Sequence, residues 1–119
     1  MDLPKIDINF HDSVIIKAEY DGRNQLELNI QLYEIYYSEK PIVKVSVNGI
    51  FNLVKVEKLY KELIADEALE IDWLGWRIES LHYDRKIKSS ENDVYLFVAV
   101  DNFKPIRIHC KKVSFTYVE

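Results

Sequence analysis

Residues 42–64 run IVKVSVNGIFNLVKVEKLYKELI, and the change of period inside this stretch decides the fold. Over residues 42–54, Val43, Val45, Val47, Phe51 and Leu53 keep one parity, and Lys44, Ser46, Asn48 and Asn52 keep the other. A period of two is that of a half-buried strand. Gly49 falls on the apolar parity, where a missing side chain allows a bend or close packing from a helix. Then the period lengthens. Val56, Leu59, Tyr60, Leu63 and Ile64 form one helical stripe, with Lys55, Glu57, Lys58, Lys61 and Glu62 on the solvated side. So short a helix depends on packing that stripe against a sheet.

Toward the N-terminus the pattern is a hairpin. Residues 13–20 read as a strand with Val14, Ile16, Ala18 and Tyr20 on one face and Ser13, Lys17 and Glu19 on the other; Ile15 breaks the alternation. Asp21-Gly22-Arg23-Asn24 has the turn chemistry that tolerates positive φ. Residues 25–33 alternate cleanly, with Leu26, Leu28, Ile30 and Leu32 pointing one way. Toward the C-terminus, residues 69–84 return to strand with a phase slip near Trp73-Leu74-Gly75, which suggests a bulge. Residues 85–92 are a polar loop. Residues 94–100 are apolar on both faces, as in a central strand, and residues 101–105 turn the chain. Residues 106–118 form the last strand, with a parity slip at Lys111-Lys112 that again suggests a bulge.

The expected architecture is therefore α+β, a single domain over residues 1–119. About six strands in the order β-β-β-α-β-β-β form a mainly antiparallel twisted sheet or half-barrel, with the helix over one opening. A β-sandwich without a docked helix is the alternative. Hydrophobic residues make up 48% of the chain, enough for a real core, which sets it apart from a disordered segment.

The formal net charge of −4 shows no overall excess of the cations that dominate nucleic-acid affinity, so no nucleic-acid partner is expected. Lys104, Arg107, Lys111 and Lys112, near Tyr95, Phe97 and Phe103, are the one stretch resembling a single-strand binder. The single cysteine, Cys110, permits no intrachain disulfide, and the first residues have no leader pattern. No apolar run reaches the ~18 to 20 residues that span a bilayer. The expectation is a cytoplasmic domain with no membrane partner.

No cofactor and no metal are expected. His11, His82 and His109, with Asp12 and Asp84, match no zinc spacing. Adjacent strand residues point to opposite faces, so His109 and Cys110 cannot form a dyad with each other, and no catalytic residue is assigned. Arg77, His82 and His109 are the candidates for polar groups in a half-barrel cavity. Six acidic residues occupy the span 57–72. Asp66, Glu67, Glu70 and Asp72, followed by Trp73 and Trp76, form the candidate partner-binding patch, because large aromatics beside charge are typical interface anchors. A solvated acidic face and tryptophans packed in the core are the plainer alternative.

Phe10-His11-Asp12-Ser13 leads into Val14-Ile15-Ile16, and Asp21-Gly22 into Leu26-Glu27-Leu28-Asn29-Ile30. With the later Val47-Asn48-Gly49-Ile50-Phe51-Asn52-Leu53 and Val113-Ser114-Phe115, these steps resemble a loose group of small bacterial proteins, some of them similar to immunity proteins of polymorphic-toxin systems. The resemblance implies a protein-binding domain that neutralises a basic toxin by occlusion. The motif itself reads as structural: Asp12 can start a turn by bonding its following backbone, and His11 can bond the neighbouring strand. A small-molecule-binding or enzymatic half-barrel, or a homo-oligomer subunit joined through sheet edges, are the competing readings.

Overall fold

The computed structural model describes residues 8–39, 41–65 and 76–118. Its elements are β1 (Val14–Tyr20), β2 (Leu26–Gln31), β3 (Ile42–Asn48), α1 (Leu53–Ala65), β4 (Trp76–Tyr83), β5 (Val94–Val100), β6 (Ile106–Cys110) and β7 (Lys112–Val118). All strand pairings are antiparallel, in the sheet order β6-β5-β4-β1-β2-β3-β7. The fold is the expected α+β arrangement, with seven strands rather than about six.

The extra strand comes from the parity slip at Lys111-Lys112. It is not a bulge inside one pairing. The chain exchanges partners there, with β6 paired to β5 and β7 to β3. One continuous run of chain, bent at Lys111, thus supplies both ends of the sheet order and closes it into a small barrel. The bend is tied down from across: the Lys111 N–H donates to Asn48 O (3.0 Å) and Gly49 O (3.1 Å).

The period change in residues 42–64 is real, but it comes earlier than the alternation indicates. β3 stops at Asn48 because Gly49 adopts φ +66°, which ends the extended backbone. Gly49 is needed there twice over. A side chain would be strained at that φ, and its Cβ would lie 2.7 Å from Lys111 Cγ. The close neighbour is Lys111, not the helix. Residues 49–52 then run beside the outer edge of β6 without becoming a strand. Phe51, expected on the inward parity, is left half exposed. Of the helical stripe, Val56, Leu59 and Leu63 are buried, Tyr60 is half buried against Tyr20, and Ile64 is exposed. The helix packs on β1 and β6.

In β1, the register passes from Ile15↔Ile30 to Lys17↔Asn29, so Ile16 is an extra residue. This bulge puts Ile15 and Ala18 into the core together and corrects the expected face of Val14, Ile16, Ala18 and Tyr20. Leu26, Leu28, Ile30 and Leu32 are buried as their spacing requires. They meet Val43, Val45, Val47, Ile78, Leu96, Ile108 and Cys110 in one core cluster. Each such side chain contributes roughly 1.5–3 kcal/mol on burial. Residues 69–75, including the slip at Trp73-Leu74-Gly75, lie outside the described residues.

The Phe10-His11-Asp12-Ser13 step ties the lead-in to the barrel. Phe10 is buried in the core. The Asp12 N–H donates to Ile78 O (2.9 Å), and the Ile78 N–H donates to Ser13 O (2.8 Å). Buried Ser13 accepts the Tyr33 N–H at Oγ (3.0 Å). His11 bonds the neighbouring strand, as expected, with Nδ1 2.9 Å from Glu79 O at the β4 bulge. Asp12 has a different part: with φ +65°, it directs its carboxylate at Arg77 Nε (3.3 Å).

Candidate binding face

Alternation along β4, β5 and β6 sends one set of side chains into the core and the other outward. The inward set is Ile78 and Leu81, then Val94, Leu96 and Val98, then Ile108 and Cys110. The outward set includes His82, Tyr95, Phe97, Arg107 and His109. Register places Tyr95 opposite His109, and Phe97 opposite both Arg107 and His82.

Two ring stacks result. The His109 imidazole lies nearly parallel to Tyr95, with centroids 4.4 Å apart and planes 9° apart, and Phe51 leans on it at 4.6 Å. His82 stacks on Phe97 at 5.3 Å. A solvent-facing sheet surface is ordinarily polar. Five rings here face outward, and Phe51 keeps 49% exposure.

Polar groups at the rim hold these rings. His109 Nε2 pairs with Asp93 Oδ1. Asn52 uses its side-chain amide as a stand-in strand: Nδ2 donates to Arg107 O (2.6 Å), and Oδ1 accepts the His109 N–H (2.9 Å). The Phe51 N–H donates to His109 O (2.7 Å). Arg107 Nε donates to Asp84 Oδ2 (2.6 Å), and the Lys86 N–H donates to Asp84 Oδ1 (2.7 Å). The Arg107 guanidinium first, and then the Lys86 amide, hold the Asp84 carboxyl below its usual range.

The pair Asp93–His109 has the orienter and imidazole of a general-base arrangement. Its neighbours are the Phe51 and Tyr95 rings and the Asn52 side-chain amide. Cys110 points the other way, fully buried, and burial pushes its thiol up to about 11. The arrangement offers flat apolar faces edged by fixed donors and acceptors, which is the chemistry of recognition. Among the described residues no group of His, Cys, Asp and Glu is placed to hold a metal ion. No described helix is long and apolar enough to cross a membrane.

Of the sequence-predicted patch, Asp66, Glu67, Glu70, Asp72 and Trp73 lie outside the described residues. Trp76 is packed in the core at 4% exposure, paired through Ile15 at the start of β4, so it takes the core-packing alternative. The three candidates for inward polar groups, Arg77, His82 and His109, all lie on the outside. Arg77 is held between Asp12 and Asp101 (Nε to Oδ2, 2.9 Å). An acidic groove on the other side, lined by Glu19, Asp21 and Glu27 with Tyr20 and Tyr60, has its groups engaged within the fold. Asp21 Oδ1 accepts the N–H groups of Arg23, Asn24 and Gln25, Glu19 pairs with Lys17, and Glu27 accepts from Gln25.

Sequence reasoning placed Tyr95, Phe97 and Arg107 in one basic–aromatic stretch and His82 and His109 among the metal and cavity candidates, but did not bring the two sets together. Parity marks Arg107 and His109 on the polar phase of their strand, whereas residues 94–100 are apolar on both phases and gave Tyr95 and Phe97 no such signal. No family model, curated protein or solved structure matches the chain.

Proposed function

We propose that this domain is a protein-binding module acting through the outer face of β4–β6, and that its concrete form is a neutralising protein that blocks a toxin's working surface by occlusion. The observation carrying the proposal is the outward ring stack Phe51–His109–Tyr95, braced by Asn52 and Asp93. Interiors demand aromatic packing; this surface does not, and rigid, pre-positioned rings lose little entropy when a partner covers them. The resemblance of Phe10-His11-Asp12-Ser13 and its hairpin to the immunity-protein group supports the neutralising form.

The test uses wild-type protein and Phe51→Arg as parallel baits in host lysate, with Tyr95→Ala as a second variant. Phe51 is half exposed and its replacement spares the core. A partner held by wild type and lost from both variants, which keep the wild-type melting temperature, is expected. That partner should be harmful when expressed alone and harmless when co-expressed with wild type. A partner retained equally by both variants would move the interface elsewhere, and a harmless partner would remove the neutralising form.

A further inference from the structure

On a chain of net charge −4, the cations are unevenly placed. One groove of about 430 Å³ is lined by His82, Asp84, Arg85, Lys86, Phe97 and the segment 105–107. A second, of about 470 Å³, is lined by Lys55, Lys58 and Glu62 of α1 and by residues 102–107. The two share Pro105, Ile106 and Arg107, so they adjoin at the start of β6 as the two arms of a channel, one toward the loop after β4 and one toward the helix. Along it lie Lys55, Lys58, Arg85, Lys86, Lys104 and Arg107, against two carboxylates, Glu62 and Asp84.

Asp84 is committed to Arg107. Among the described residues, Lys55, Lys58, Arg85, Lys86 and Lys104 have no carboxylate within ion-pair distance. All five are exposed. Elsewhere, Lys17, Lys61 and Arg77 each have an acidic partner, while Arg23, Lys44, Lys88, Lys111 and Lys112 have none among the described residues, so what marks the channel is the gathering of five unpaired cations along one pair of grooves.

From this charge complementarity we infer that the channel takes an extended acidic segment of a protein partner, with its Asp and Glu side chains over the unpaired lysines and arginines and an apolar side chain on Phe97 and Pro105. This rests on the protein-binding reading and specifies the chemistry of what docks beside the ring stack. Single-stranded nucleic acid is less well suited. The chain is acidic overall, with a net charge of −4, and lacks the general excess of cations that a phosphate backbone requires. Association driven by such pairs should be fast and should weaken with salt.

The probe is a fluorescein-labelled Glu/Phe peptide of about a dozen residues, read by anisotropy, beside a thymidine oligonucleotide of equal length. The variants are Arg85→Glu/Lys104→Glu in the channel and Arg23→Glu/Lys112→Glu outside it, which change the net charge equally. Saturable peptide binding, weakened about tenfold by the channel variant and far less by the control variant, is expected. Equal weakening by both variants would show a general charge effect and overturn the inference. So would tighter binding of the oligonucleotide, or no peptide binding at all. If the lysate partner is still captured in those cases, the protein-binding reading stands and only the channel assignment falls.

Discussion

At the scale of single residues, chemistry that looks generic in the sequence is fixed by one neighbour each. Gly49 and Gly22 both have positive φ, +66° and +80°, yet a Cβ on Gly22 would meet nothing within 4 Å, whereas one on Gly49 would strike Lys111. Backbone strain should cost either alanine variant roughly 1–3 kcal/mol, and Gly49→Ala should lose more than Gly22→Ala because its Cβ must also displace Lys111. Urea titration of both variants decides this, and equal losses would show that Lys111 yields freely. Cys110 gives a pH dependence. Its thiol is raised by burial from 9.0 to about 11, so the folded state holds a proton that the unfolded state releases. Its contribution is fully present below pH 9 and is lost as pH rises toward 11, at about 1.4 kcal/mol per pH unit. In the folded protein at pH 8 the thiol should resist an alkylating reagent and become reactive only on unfolding. Gly49's need for a bend was legible from its place on the apolar parity. Its neighbour Lys111, sixty-odd residues on, was not, because local pattern carries no information about which distant segment returns.

At the scale of elements, the strands were read well where one face is buried and the register is regular. β2 is the clearest case, with Leu26, Leu28 and Ile30 buried on one face. The reading failed where an extra residue resets the phase, at Ile16 in β1, and where a strand changes partner, at Lys111. Periodicity records that a phase slips and cannot say whether the cause is a bulge or a new neighbour. The long third strand is the instructive case. Residues 49–52 do accompany β6, but through the side-chain amide of Asn52 and the Phe51 N–H instead of a ladder. Asn52→Ala removes a donor and an acceptor that satisfy Arg107 O and His109 N–H. A loss of about 1–3 kcal/mol is expected, with faster amide exchange at His109. Asn52→Asp restores only the acceptor, so it should protect the His109 amide without recovering full stability. The candidate face was legible only in pieces, since its residues sit on three strands whose order no local signal gives.

At the scale of the whole molecule, one late segment completes both ends of the sheet order. β6 pairs with β5, and β7 pairs with β3 over seven positions from Ile42↔Val118 to Asn48↔Lys112. Amides of β3 that bond β7 should therefore exchange later than those of the exposed turn at residues 22–24. Equal exchange in the two regions would contradict this. The bend at Lys111 has another consequence, one of timing. A ribosome delivers the chain in order, and before residues 106–118 emerge both β3 and β5 have an unpaired edge, the kind of surface on which nascent chains join one another. A single late segment must reach both edges, far apart along the chain, so the ring closes after translation of its other strands, and a message truncated ahead of residue 106 yields a product with two adhesive borders.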